Sequence, residues 1–355
     1  MTALTRLPPL STLHERSHSI VRLVGWCSNL LLQRWCKSVR VEGLERLVNV
    51  IKDEKRVAQK RGVLTYANHI SVLDDPTLFG SLPTELYQRS NTTRWTMGAS
   101  DIMFTNSFNA YIFRSGQVLP TDRGRGVFQP ALDHSIDLLQ NGGWVHIFPE
   151  GYVNMSRQAR VRRFKWGIGR MLLETGLGLS KQLPVILPIW ITGLDGMMPE
   201  PRGNPRWMPR PGAEVTITFG HPINDSIEPI TERAREFALS NEGSVGEKAR
   251  SSNTLLRSLE EKMEGVETLA QAYPIPGKTL FSPTTPLAPP PGGVSWPLPL
   301  EDSRSYNAIQ AGFDSDQARI ARSFICAELR AHLVRLGEQT GMSKDLVHRL
   351  MAEEE

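Results

Sequence analysis

Leu64-Thr65-Tyr66-Ala67-Asn68-His69-Ile70-Ser71-Val72-Leu73-Asp74-Asp75-Pro76 opens as a strand and closes as a helix start. Val63, Leu64 and Tyr66 precede a polar break, and Asp74, Asp75 and Pro76 favour a turn into a helix. His69 stands at the carboxyl end of the strand, with Asp74 five residues on. A loop that bends back puts the Asp74 carboxylate on the His69 imidazole. The carboxylate then fixes the tautomer, and the other ring nitrogen is free to take a proton from a hydroxyl. This is the base half of a catalytic triad, with the substrate's own hydroxyl in place of the serine. The plain alternative is an N-capping Asp beside a surface His.

A second stretch, Trp144-Val145-His146-Ile147-Phe148-Pro149-Glu150-Gly151, is another short apolar strand that stops at a turn. His-x-x-x-x-Asp followed roughly eighty residues later by Phe-Pro-Glu-Gly is far more specific than either motif alone. The pair resembles the glycerolipid acyltransferase superfamily. Gly116-Gln117-Val118-Leu119-Pro120-Thr121-Asp122-Arg123 is similar to that family's arginine-bearing phosphate motif, and Leu183-Pro184-Val185-Ile186-Leu187-Pro188 to its proline-containing block. Asn68 to Pro76, Trp95-Thr96-Met97-Gly98-Ala99, Phe104-Thr105-Asn106 and Phe148 to Ser156 narrow the likeness to the mitochondrial transacylases that remodel cardiolipin. The resemblance covers about residues 15 to 225 and a helix near the end. It departs at Tyr152, where many relatives carry a basic or small polar residue.

Charge is distributed unevenly. Residues 1–62 hold 12 Lys/Arg against 5 Asp/Glu, and residues 86–170 hold 11 against 5, whereas residues 225–355 hold 14 against 20. The basic parts hold or flank the motifs, which suits an anionic partner. No zinc finger, RNP motif or basic heptad region accompanies the charge, so the expected partner is an anionic phospholipid membrane and not nucleic acid. Three cysteines, Cys27, Cys36 and Cys326, make neither a disulfide framework nor a zinc site, and no metal is expected.

Strands alternating with helices predict an α/β fold: a central, mostly parallel or mixed sheet flanked by helices, glycerol-3-phosphate acyltransferase-like by resemblance. Residues 1–37 read as an arm and an amphipathic membrane-surface helix from Ser19 to Lys37, with Trp26 and Trp35 as interface anchors. The alternative is a helix packed on the core. The uncharged run Leu23 to Gln33 is too short to span a bilayer, which needs about 20 apolar residues. The acid-poor beginning also resembles a mitochondrial transit peptide. Residues 38–237 form the catalytic α/β domain. Residues 238–312, rich in Ser, Pro, Gly and Glu, read as a low-complexity insertion, largely disordered apart from a helix over Thr254–Ala272. Residues 313–345 carry a returning helix that docks through Ile320, Phe324, Leu329 and Leu333. The loop at 196–212, with Met197, Met198, Trp207 and Met208, is expected to dip into the interface.

Acyl transfer to an alcohol needs a base, a grip on the acceptor and stabilisation of an oxyanion. His69 is the expected base and Asp74 its orienting partner. The resemblance implies that Arg123 holds the acceptor's phosphate, since a guanidinium matches phosphate geometry. Glu150 and Gly151 are expected at the substrate, Glu150 either accepting bonds from the acceptor or ordering the loop. Asp75 reads as a helix cap, or else as a contact behind the site. Ser71 lies two residues from His69 without a Gly-x-Ser-x-Gly elbow and reads as structural. His146 and His134 read as satisfied or surface histidines. The resemblance implies phospholipid and lysophospholipid substrates, cardiolipin and monolysocardiolipin among them. It also implies no cofactor and a mitochondrial membrane surface facing the intermembrane space. The alternative enzyme is an acyl-CoA-dependent lysophospholipid acyltransferase. A membrane-bound scaffold without catalysis is the reading outside enzymology, and the intact motifs speak against it.

Overall fold

The computed structural model describes residues 18–87, 92–154, 161–177, 182–199, 204–205, 208–239 and 303–340. Seven strands form one sheet: β1 Cys36–Glu42, β2 Val63–Ala67, β3 Trp95–Ala99, β4 Val118–Thr121, β5 Trp144–Ile147, β6 Val185–Thr192 and β7 Ala213–Phe219, in the order β1-β7-β6-β2-β5-β3-β4. β6, β2, β5, β3 and β4 are parallel; β7 is antiparallel to β6 and parallel to β1. The sheet is therefore mixed, as one of the two expected forms. All five residues of β2 are buried, as a strand covered on both faces requires.

Helices cover both faces. On one lie α1 His18–Trp35, α2 Leu44–Lys52, the single turn α3 Glu54–Ala58, α4 Asp74–Gly80, α5 Ser100–Met103 and α6 Ser107–Ser115. On the other lie α7 Pro130–Gln140, α8 Gly167–Thr175, α10 Asn224–Leu239, α11 Arg304–Gln310 and α12 Asp316–Gln339. A short α9, Leu194–Met197, follows β6.

α1 is held to the domain by Val21, Gly25, Ser28 and Leu32, one stripe at helical spacing. At the crossing with α4 a Cβ on Gly80 would stand 2.6 Å from that of Ser28, so only glycine allows this approach. Asn29 donates to the Gly80 carbonyl at 2.9 Å. The expected amphipathic helix is thus also a packed one: Leu23, Trp26 and Leu30 face out, while Trp35 turns inward and donates to the Pro209 carbonyl at 3.0 Å. Trp35 is thus half-buried, with its indole N–H bonded within the fold.

Other differences have local causes. The charged amphipathic stretch Leu44–Arg61 reads as one helix, but it breaks at Asp53, whose carboxylate accepts the Lys55 amide and starts α3. The aromatic-rich stretch Asp101–Phe113 also reads as one helix, but it divides at Phe104–Asn106, where Asn106 caps α6. β3 carries too mild an apolar alternation to stand out, and α10 contains Pro229 and a charged face that hide its buried stripe Ile227, Thr231, Ala234, Ala238. Met197 and Met198 do not dip outward but are buried, since α9 folds them onto β7. Trp207 lies outside the described residues.

Of the span expected to be a low-complexity insertion, 240–302, including the Thr254–Ala272 helix, lies outside the described residues, as do 1–17 and 341–345. Its ends are ordered: residues 238–239 complete α10, and α11 is capped by Ser303, with Ser305 buried against Asp133. α12 returns to the domain, where Leu329 and Leu333 are buried but Ile320 is exposed and Phe324 half-buried, because the buried stripe runs through Ala318, Ala321 and Ile325 instead. The buried Tyr66 hydroxyl donates to the Leu329 carbonyl at 2.9 Å, tying α12 to the strand that leads to His69.

Candidate active site

β2 and β5 are neighbours that end together, with Tyr66 opposite Ile147. The carboxyl edge of a parallel sheet is where such folds bind ligands, and both motifs leave their strands there. Asn68 continues the ladder one step beyond the last β2–β6 pair: its Nδ2 donates to the Ile191 carbonyl and its Oδ1 accepts the Ile191 amide, both at 2.8 Å. His69 is therefore fixed at the rim.

The five-residue turn after His69 wraps around the Asp74 carboxylate. Asp74 Oδ2 accepts the Ile70 amide at 2.6 Å, the Ser71 amide at 2.9 Å and His69 Nδ1 at 2.9 Å. The neighbouring amides show that Asp74 is an acceptor at this atom, so Nδ1 carries the proton and Nε2 presents its lone pair outward. Among the described residues nothing bonds Nε2, and the ring is partly exposed while Asp74 is fully buried. The imidazole stacks on Phe148 with ring centres 4.4 Å apart, which leaves it little freedom to rotate.

Glu150 holds the same turn from the other motif. Its Oε1 accepts the His69 amide at 2.8 Å, and its Oε2 accepts the Arg162 amide at 2.9 Å and Asn154 Nδ2 at 3.4 Å. The Asn154 amide closes the loop on the His69 carbonyl at 2.6 Å. Glu150 is buried with both oxygens engaged by the chain itself, the arrangement that the loop-ordering role requires. Burial raises the pKa of Asp74 and of Glu150, and their hydrogen bonds pull each back toward the ionised form.

Arg123 pairs with Asp101 on α5 and lies 5.2 Å from the ring centre of Tyr152; Lys165 lies 5.6 Å from the same ring. Tyr152, the departure from the family pattern, is thus a platform between two cations at the mouth. Gly151 has φ +74°, and a Cβ there would sit 3.1 Å from Lys165 Cγ, so this turn position favours glycine. Asp75 is not the cap of α4, whose N-cap is Leu73; it pairs with buried Arg94, which lies 4.4 Å over Phe79. Ser71 is buried, its hydroxyl accepting the Leu73 amide at 3.3 Å.

His146 is a core residue, not a surface one. Trp144 Nε1 donates to Thr65 Oγ1 at 2.8 Å, and Thr65 Oγ1 and His146 Nδ1 share a hydrogen bond, also of 2.8 Å. Burial lowers its pKa to about 3, so the ring is neutral, and it packs edge-on against Phe148. No group of three or more His, Cys, Asp or Glu side chains among the described residues could hold a metal.

The geometry joins comparisons with known proteins. Residues 38–192 match the model of the acyltransferase family. A tafazzin of Drosophila melanogaster is 36% identical over 223 residues, which cover 61% of this chain and 54% of that protein. A relative named taffazin from Dictyostelium discoideum is 38% identical over 213 residues, covering 58% and 69%. The chain belongs to the tafazzin-like acyltransferases. An Arabidopsis thaliana N-acylphosphatidylethanolamine synthase is 32% identical over 203 residues, covering 56% and 68%. The matched part spans little more than half the length of the Drosophila relative.

Within this family frame, Asn68, Phe148, Asn154 and Lys165 shape the site without having been singled out from the sequence. Asn68, Phe148 and Asn154 lie within the stretches that carry the family likeness, whereas Lys165 left no signal there.

Proposed function

We propose that this chain is a phospholipid–lysophospholipid transacylase working at a mitochondrial membrane surface that faces the intermembrane space, with cardiolipin and monolysocardiolipin as the substrate pair. The observation that carries it is the His69–Asp74 contact: a buried carboxylate holds Nδ1, and Nε2 stands free at the sheet's carboxyl edge.

The free hydroxyl of the lysophospholipid gives its proton to His69 Nε2 as its oxygen attacks the ester carbonyl of the donor phospholipid. Asp74 stabilises the imidazolium that forms. The tetrahedral intermediate collapses, its bond to the donor's glycerol oxygen breaks, and that oxygen takes the proton back from His69. One ester replaces another, so no energy source, metal or cofactor is required. Glu150 is a positioning residue that holds the His69 backbone. Arg123, with Lys165 and Tyr152 beside it, forms the rim that receives the acceptor's phosphate, Arg123 exchanging Asp101 for the lipid.

The test is acyl exchange by purified protein in vesicles of labelled phosphatidylcholine, phosphatidylethanolamine and monolysocardiolipin with no CoA present. Labelled cardiolipin is the expected product. Transfer only upon addition of acyl-CoA would favour the CoA-dependent enzyme. Label appearing on the amine of phosphatidylethanolamine instead would assign N-acylation.

A further inference from the structure

α1 and α6 touch, and together they leave a set of large apolar side chains in water. On α1 these are Leu23 and Trp26, 58% and 61% exposed; on the α5–α6 corner they are Ile102, Phe108 and Tyr111, at 62%, 73% and 56%. Single exposed apolar residues are ordinary, but a group on adjoining elements marks a contact surface. Building on the membrane-surface reading above, we propose that the α5–α6 corner is a second lipid-contacting leg, which with α1 sets the His69 edge of the sheet against an anionic bilayer.

Charge selects the occupant. α1 and α6 contain no carboxylate and carry Arg22, Arg34 and Arg114. Asp101, the carboxylate of α5, is paired with Arg123. A groove lined by Arg22, Trp26, Thr84 and Tyr87 opens beside the outer face of α1, pairing a guanidinium with an interfacial indole. Apolar side chains among arginines, with the one carboxylate of these helices paired, match the boundary between anionic headgroups and acyl chains. Among the described residues no helix is long and apolar enough to cross a membrane, so contact through side-chain insertion is the mode open to α1 and α6.

The placement has a chemical purpose. α5 leaves the carboxyl end of β3, the same edge of the sheet from which His69 projects, and Asp101 on α5 holds the rim arginine Arg123. A leg inserted at Ile102 and Phe108 brings the rim to headgroup depth, so the lysolipid hydroxyl reaches Nε2 without the lipid leaving the bilayer.

The experiment uses the full chain with Cys27→Ser and Cys36→Ser; Cys326 is buried, its thiol pushed up to about 12, and takes no label under native conditions. A nitroxide is placed in turn at Phe108→Cys, at Leu23→Cys and, as a control on α3, which precedes β2 in the chain, at Val57→Cys. Accessibility to oxygen and to a nickel chelate is read with and without phosphatidylcholine–cardiolipin vesicles. The expected result is that positions 108 and 23 both gain oxygen contact and lose nickel contact on vesicles, while 57 stays in water. Position 23 shifting with 108 left in water overturns the second leg and leaves the membrane-surface reading standing. Neither shifting overturns both. Position 108 losing contact with both agents without vesicles, as protein concentration rises, assigns the face to a second copy and overturns the proposal. Independently, Phe108→Ser with Tyr111→Ser should lower vesicle partitioning about tenfold or more, given what aromatic burial is worth, with an unchanged circular dichroism spectrum.

Discussion

Two networks of buried charge lie in this fold, and they are finished differently. On one face of the sheet, buried Arg170 bonds Glu174 at 2.6 Å, Asp133 at 2.7 Å and the Val127 carbonyl at 2.7 Å, and Ser305 closes onto Asp133. Cations and anions satisfy each other, and the network stitches α8 to α7 and α11. At the sheet's carboxyl edge, Asp74 and Glu150 are equally buried but balanced by backbone amides and one imidazole. Two ends stay open there: His69 Nε2 faces out, and Asp74 Oδ1 has no partner. A closed network holds structure; one that aims a free lone pair at a solvent edge is equipped for chemistry.

Substitutions should separate the two. Asp74→Asn sets a side-chain amide where three donors converge and releases the tautomer; the analogous change in a serine-protease triad costs about 10⁴ in rate. A loss of that order in acyl exchange, with the fold retained, is expected. Arg170→Ala leaves Asp133 and Glu174 buried without a counter-charge and should cost about 3–5 kcal/mol of stability. Activity per folded molecule should hold, read by urea unfolding beside the exchange assay. Comparable activity losses from both variants would erase the distinction.

Glu150→Gln turns an amine toward the His69 or Arg162 amide. Losing a bond to a charged acceptor is worth about 1.5–3 kcal/mol, so exchange should fall about tenfold to a hundredfold. If Glu150 acts only on the loop that its two oxygens bond, KM for the lysolipid should stay constant while kcat falls. A change confined to KM would return Glu150 to the substrate.

The smallest effect concerns His146. Its pKa is about 3 folded against 6.5 as a free side chain. Between those values the unfolded chain binds a proton that the native one does not, so stability falls as pH drops below 6.5, by up to about 1.4 kcal/mol per pH unit. Asp74 and Glu150, raised by burial, tilt the curve the other way just above ordinary carboxylate values. The unfolding free energy of wild type minus that of His146→Phe isolates the histidine, and this signed difference should decrease as pH falls below 6.5. A constant difference would mean that His146 is not held neutral.

Much of this was legible beforehand, for physical reasons. β2, β5 and β6 are continuous apolar runs ended by polar turns, which is how strands covered on both faces read. The closeness of His69 and Asp74 follows from a five-residue spacing that lets a carboxylate nucleate its own turn. What stayed hidden depends on partners far along the chain. Glu150 reads equally as a contact of the acceptor or a loop-ordering group until Arg162 and His69 are seen to occupy it. The bond from Trp35 to Pro209 joins residues too far apart in the chain for any local pattern to show. Arg304 and Ser305 follow a Ser-, Pro- and Gly-rich stretch, and only Asp137 and Asp133 on α7 reveal α11 as part of the domain.

The claim at the centre is that His69 Nε2 takes the acceptor's proton. His69→Ala removes that lone pair from a partly exposed position while Glu150 keeps the backbone amide, so the variant should unfold close to wild type. CoA-free exchange between labelled phosphatidylcholine and monolysocardiolipin, measured on the purified variant bound to vesicles as wild type is, should fall to the rate without protein. Exchange near the wild-type rate from a folded, vesicle-bound His69→Ala protein would contradict the account.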